Sequence, residues 1–495
     1  MTQTHTPSEP NRWAVLALLG VAQLMVVLDL TVVNIALPSA QKALHFSTDN
    51  RQWIVTAYAL AFGSLLLLGG KLGDLFGRKW TFIAGLAGFS LASAIGGLAQ
   101  SFAMLVAARA LQGVFGALLA PSALGLLTTA FAGSPVRPKA FGIFGAIAGG
   151  GASVGLLLGG VLTEALSWRW CLYVNLAIAV PTAIVSLRLL VNEAQTNRPH
   201  IDLPGVLTGS GGLFAVVYGF SNAETHSWSD PATIIALAAS AVLLCLFVAI
   251  ERRRAQPLLP LHIVANRARG GAYASIVLAG SGVLGAFLFL TYFMQQNLGF
   301  SPLTTGLAFL PMTALTVLSS TVAQTRILPR TGAKPLITVG MALGVVAMVL
   351  LTRLSPGSGY AAGVLPSLIV LGLGLGMIFA PAIGTATLGV NLSDAGVASA
   401  MVNTSQQIGG SVGTALLSTL FASSASAFAR TRAGMHGLQA AAQVHGYTTA
   451  FWWSAGIFAV GLLIAVVVFP MRVKPTEPAP AAESAVKVEV ALATK

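Results

Sequence analysis

Residues 13–37 read WAVLALLGVAQLMVVLDLTVVNIAL, a run in which the one ionisable side chain is Asp29. An α-helix rising about 1.5 Å per residue crosses roughly 30 Å of hydrocarbon with about 20 apolar residues. This run is long enough to span a bilayer and too long for the apolar core of a cleavable signal, so it reads as a first transmembrane helix. Further runs of that length follow near 52–72, 80–99, 103–130, 139–163, 168–190, 203–220, 231–250, 271–293, 304–325, 335–353, 362–388, 396–421 and 450–470. In lipid only helices or closed barrels satisfy every backbone N–H and C=O, and the short alternating segments of barrel strands are absent. The expectation is an all-α polytopic membrane protein with 14 transmembrane helices.

The composition agrees. Of 495 residues, 55% are hydrophobic and 8% charged, whereas soluble domains carry about a quarter charged residues. That excludes a cytosolic enzyme, a nucleic-acid binder and a disordered scaffold. The net charge of +13 is then a matter of topology. With both termini in the cytoplasm, 20 of the 27 Lys and Arg residues fall on the inner side, among them Arg78, Lys79, Arg137 and Arg252 to Arg254, as the positive-inside rule requires. A multi-pass protein of the plasma membrane is expected. Cys171 and Cys245 both lie in apolar runs, so no disulfide framework is indicated.

Three matches in chain order reveal an internal repeat. Gly77-Arg78-Lys79 with Gly85 recurs as Gly332-Ala333-Lys334 with Gly340; GALLAP at 116–121 recurs as GMIFAP at 376–381; GASVG at 151–155 recurs as GGSVG at 409–413. The shifts map spans 3, 4 and 5 onto spans 11, 12 and 13, which leaves spans 7 and 8 as an insertion between two six-helix units. The domain plan is a tail at 1–12, a six-helix bundle at 13–190, two inserted helices at 203–250, a second bundle at 271–470 and a disordered tail at 471–495. A path between two duplicated halves implies alternating access.

Asp29 is the one acidic residue well inside an apolar run. An ionised carboxylate at that depth costs about 2.5–3.5 kcal/mol on insertion scales, so it should face a wet cavity and carry a proton or balance a cationic cargo. A carboxylate hydrogen-bonded within the bundle, with no transport role, is the plainer alternative. Thr31 and Asn34 follow within about one turn. Arg109 is the one basic residue deep in a span, with Gln112 one turn on; guanidinium does not deprotonate, so Arg109 can tune an acid or pair with it but cannot carry the proton. Two lone buried charges of opposite sign lower each other's cost, which makes an Asp29–Arg109 pair the electrostatic expectation, against a reading in which Arg109 only bonds backbone carbonyls.

Between spans 2 and 3, GGKLGDLFGRKW places Asp74 and Arg78 across a tight turn at Gly77, suited to a charge clamp between helix ends, with Gly70 before it. Arg78 and Lys79 also serve as inner anchors. Gly151, Gly155 and Gly159 form a stripe on span 5, with Gly160 beside it, that lets another helix approach closely. In span 13, Asn403 to Gln407 are five successive polar residues that cannot all face lipid, so Asn403 and Gln407 join Asn34 and Gln112 as expected cavity-lining residues. No metal-ligand spacing, nucleophile elbow or nucleotide-binding loop is present, and the seven histidines lie in loops or near termini. The reading is therefore not an enzyme, without metal or cofactor, and driven by a gradient.

Taken together, LDLTVVNIALP, GGKLGDLFGRK, RALQGVFGALLAP, GASVGLLLGG, WRWCLYVN and NTSQQIGGSVGTA resemble the fourteen-helix drug:proton antiporter family of the major facilitator superfamily, over about residues 13 to 470. The resemblance implies the major facilitator fold and proton-coupled export of amphipathic or cationic small molecules. It also implies cation recognition or protonation at Asp29, proton coupling at Arg109, and locking of the halves by Asp74 with Arg78. The chain departs from the family pattern at Leu156, where the antiporter motif usually has proline, and at Leu75, where the loop often has a basic residue. An exporter of a self-made metabolite, an importer of the same fold and a non-transporting receptor are the rival readings. Protons, a small molecule and lipid are the expected partners, with no nucleic acid and a working monomer.

Overall fold

The computed structural model describes residues 9–46, 51–191, 202–254, 257–391, 394–432 and 437–470. The tail expected at 471–495 and the inner-loop residues 392–393 lie outside them. The described residues form long helices: α1 (Glu9–Leu44), α2 (Arg51–Phe76), α3 (Arg78–Gly97), α4 (Phe102–Ala130), α5 (Arg137–Ala165), α6 (Trp170–Leu189), α7 (Leu203–Thr225) and α8 (Pro231–Glu251). Then come α9 (Arg267–Asn297), α10 (Leu303–Thr331) and α12 (Tyr360–Ala386), each including a π-helical turn. The set is completed by α11 (Ala333–Leu351), α13 (Ala395–Thr431) and α14 (Leu438–Val468). Thirteen of them are long and apolar enough to cross a membrane, and α5, at 29 residues, is the fourteenth long helix.

Several helices outrun their apolar cores. α1 begins at Glu9, inside the tail expected at 1–12, α13 runs on past 421 to Thr431, and α14 begins at Leu438, well before 450. Helical hydrogen bonding continues where the side chains turn polar, so hydropathy marks the lipid-facing part of a helix and not its ends.

The repeat is visible as packing. In the first half α1 packs on α5 and α6, α2 on α4, and α3 on α4 and α6; in the second, α9 packs on α13 and α14, α10 on α12, and α11 on α12 and α14. Local geometry repeats too. Gly77 (φ 93°) and Gly332 (φ 79°) both turn the chain in the left-handed region that favours glycine, and Pro121 and Pro381 lie inside α4 and α12. On α5, a Cβ at Gly151 or Gly155 would meet Val27 or Thr31 of α1; on α13, a Cβ at Gly409 or Gly413 would meet Val277 or Ser281 of α9. Small residues let each helix pair approach at the same register.

The inserted α7–α8 hairpin packs through α7 on both α2 and α13, one helix from each half. Thr56 and Ser221 hydroxyls lie 2.9 Å apart, and Trp228 Nε1 donates to Thr419 Oγ1 at 2.9 Å. The turns at Gly77 and Gly332 mark one end of the bundle, the basic end, where Arg78, Lys79 and Arg137 lie. The halves meet there.

Candidate functional site

Asp29 is 1% exposed, in α1. Its Oδ2 accepts from Arg109 Nη1 of α4 at 2.5 Å, and its Oδ1 accepts from Gln112 Nε2 at 3.0 Å and from Asn175 Nδ2 of α6 at 2.6 Å. Arg109, also 1% exposed, donates further to Gln112 Oε1 at 2.8 Å and through Nε to the Ile54 carbonyl at 3.3 Å. Its guanidinium carbon stands 4.5 Å from the centroid of the Tyr58 ring, a cation–π contact. Gln112 Nε2 is shared with Ser93 Oγ of α3 at 2.7 Å. Five helices of one half thus enclose a neutral pair of opposite charges whose polar atoms are almost all satisfied.

Two expectations need correction in this conformation. Asp29 does not face a wet cavity: charge-assisted donors from α4 and α6 take the place of water around it. Gln112, expected to line the cavity, is 0% exposed and belongs to the same cluster. Asn34 is exposed, on a face of α1 turned by about 140° from Asp29.

Asn403 is buried and donates to the Ser399 carbonyl one turn back, at 3.0 Å. Gln407 is half-buried at the seam between halves, its Cβ 3.9 Å from where a Cβ on Gly63 of α2 would stand. The glycines of α5 separate by face. Gly151, Gly155 and Gly159 seat Val27, Thr31 and Val32 of α1, whereas Gly160 turns toward Leu303 of α10 in the other half. Leu156 is buried in the core.

At the basic end Asp74 Oδ1 accepts from Arg78 Nη2 at 2.6 Å and Nε at 3.1 Å, and also from the Gly396 backbone N–H at 3.2 Å. A carboxylate of one half therefore caps the start of α13 in the other, where the helix dipole favours an anion. Gly70 makes the approach possible: a Cβ there would meet the Gly396 carbonyl and Ala400 Cβ. Arg137 of α5 adds a second bridge, donating to the Thr387 carbonyl at 3.1 Å and its hydroxyl at 3.2 Å at the end of α12. Ser320 Oγ donates to the Gly142 carbonyl at 2.8 Å.

Sequence reasoning missed Asn175, Ser93, Tyr58 and the bridging role of Arg137. Asn175 had a usable signal as the one amide within WCLYVNLAIAVPTAIV; Ser93 had none, since such a serine bonds its own helix, here the Phe89 carbonyl at 2.7 Å. Among the described residues, no group of three or more His, Cys, Asp or Glu could hold a metal ion.

Known proteins share this architecture. The chain is 46% identical over 471 residues to a puromycin resistance protein of Streptomyces alboniger, covering 94% of this chain and 92% of that protein. It is 38% identical over 470 residues to a cephamycin export protein of Amycolatopsis lactamdurans (94% and 93% covered) and 34% identical over 410 residues to a lincomycin resistance protein of Streptomyces lincolnensis (82% and 84%). The solved structure of the human organic anion transporter MFSD10 matches with a TM-score of 0.63 at 14% identity, over 92% of this chain and 99% of that one, a likeness of fold alone. The profile of the Major Facilitator Superfamily matches residues 19–414. Since that match runs from α1 into α13 and so takes in both duplicated halves, the chain belongs to the major facilitator superfamily.

Proposed function

We propose that this chain is a proton-driven exporter of amphipathic, often cationic or aromatic small molecules of the antibiotic type. It works as a monomer in the plasma membrane with both termini and the basic end in the cytoplasm. The observation that carries the reading is the sealed Asp29–Arg109 pair. Protonating Asp29 removes the charge that holds Arg109, so a proton cannot bind without rearranging a cluster that joins α1, α2, α3, α4 and α6. Proton binding and helix movement are then one event.

In the cycle, closure of the basic end by Asp74 with Arg78 and by Arg137 leaves the path open outward. Asp29 takes a proton from that side, Arg109 shifts to its remaining partners, and the cargo departs. When the halves rock and the basic end opens, the proton is lost inward and the pair reforms. Because Asp29 is enclosed here, its exchange with cargo is indirect, through the position of α1. Asn403 and Gln407 at the seam remain the proposed contacts for cargo, with Asn34 nearer the other end of α1.

The relatives named for puromycin resistance, cephamycin export and lincomycin resistance support export of an antibiotic. The test is a growth-inhibition panel of puromycin and lipophilic cations, with and without the gene and with a protonophore. Resistance that the protonophore cancels is expected. Equal sensitivity with and without the gene rejects export, and resistance that survives collapse of the gradient rejects the proton drive.

A further inference from the structure

The proposed cycle uses neither buried carboxyl group at the root of the inserted hairpin. Asp202 stands immediately before α7 and Glu251 ends α8, and they are 7% and 3% exposed. Both reach one spot: a Cβ built on Gly205 would lie 2.5 Å from Glu251 Oε1 and 2.8 Å from Asp202 Oδ2. Glu251 Oε2 accepts the Leu259 N–H at 3.1 Å, whereas among the described residues Glu251 Oε1 and both oxygens of Asp202 have no hydrogen-bond donor.

The charged groups facing them come from two directions. Arg254, after α8, brings Nε to 3.4 Å from Asp202 Oδ1 with its side chain half in the open. Lys71 of α2 acts on Glu251 electrostatically, but its Nζ is bonded to the Pro257 carbonyl at 3.1 Å. From α13 come the apolar Val397 and Ala400, with Met401 and Ile408 packed beside them, in the cluster with Leu258 and Leu259.

We propose that Asp202 and Glu251 share a single proton and form a protonatable site, separate from Asp29, that fastens the inserted hairpin to α2 at the basic end. Two carboxyl groups that converge on Gly205, nine-tenths buried and short of donors, resist ionising together, and one proton held between them would supply one of the missing donors. The proton arrives from and returns to water at the basic end, past Arg254, and no other bond changes order. Losing it leaves two anions that draw Lys71 Nζ away from the Pro257 carbonyl. Lys71 follows Gly70, which packs on Gly396 of α13, so the site bears on the seam that the hairpin overlies.

The test is infrared difference spectroscopy on the purified full-length protein without cargo, so its outcome is independent of the export reading. At neutral pH the wild type should show a carboxylic-acid C=O band that both Asp202→Asn and Glu251→Gln remove, since either amide donates to the remaining carboxylate. Raising the pH should abolish the band, and Arg254→Gln, at a half-exposed side chain, should preserve it to higher pH. A band that survives in Asp202→Asn, no band sensitive to the two substitutions, or an Arg254→Gln titration identical to wild type overturns the proposal.

Discussion

Asp29 and Arg109, 80 positions apart in the chain, meet at 2.5 Å with side chains 0% and 1% exposed. Among the described residues the other half has no such pair. The matching register of α1 on α5 and of α9 on α13 puts Ala279 where Asp29 would be, and the sequence repeat puts Ile369 where Arg109 would be. A duplicated fold thus carries its buried ion pair in one half, so the proposed proton switch would act first on that bundle.

Removing one partner of a buried pair leaves an uncompensated charge, at a cost of about 3–5 kcal/mol. Asp29→Asn and Arg109→Gln should each lower the thermal unfolding temperature in detergent, whereas the double variant should regain much of the loss. All three should fail to export against a gradient. Losses that add in the double variant would show that the two side chains do not act as a pair.

Gly155 seats Thr31 so closely that a Cβ there overlaps its Oγ1. Gly155→Ala should therefore displace α1, the helix that carries Asp29, and destabilise by about 1–3 kcal/mol, the usual range for overpacking. Thr31→Ala removes the colliding atom and should restore part of both stability and efflux. Thr31 bonds only its own helix, to the Leu28 carbonyl at 3.1 Å, so that second change costs little alone. Unfolding temperature and dye efflux of the single and double variants check this.

The spans were legible because hydrocarbon demands long apolar runs, and the Asp29–Arg109 pairing was legible because each charge is alone at its depth. Neutral partners were not. An asparagine or serine in a helix bonds its own backbone as readily as a distant carboxylate, so only three-dimensional packing selects Asn175 and Ser93 for the cluster. Arg137 read as a topological anchor because charge at the basic end is common there, and nothing local in its sequence points to the Thr387 carbonyl 250 residues away.

Asn175 supplies one of the three donors to Asp29, at 2.6 Å. Replacing it with Leu should cost about 1.5–3 kcal/mol, the scale of a hydrogen bond to a charged group, and should reduce the proton-driven component of efflux while leaving gradient-independent counterflow in proteoliposomes largely intact. Asn175→Gln, with a longer reach, should recover less than wild type. If counterflow and driven efflux fall together, Asn175 serves packing and not the ionised state of Asp29.

The bridge from Asp74 to Gly396 predicts which change opens the basic end. Asp74→Asn loses the ion pair with Arg78 and weakens the cap on α13, where a helix start stabilises a nearby anion by about 0.3–1 kcal/mol at exposed sites and more when partly buried. Ala400, fully buried, has its Cβ 2.8 Å from where a Cβ on Gly70 would stand. A cysteine at 400, in a background with Cys171 and Cys245 replaced by serine, should resist a membrane-impermeant maleimide in inside-out vesicles. Adding Asp74→Asn should expose it, and adding Arg137→Gln should expose it further, because each removes one of the two charged bridges between the halves and leaves only the neutral Ser320–Gly142 hydrogen bond beside the helix packing. Labelling that stays slow in the triple variant would show that the seam is held by helix packing at Gly70 and Gly396 and not by these charges.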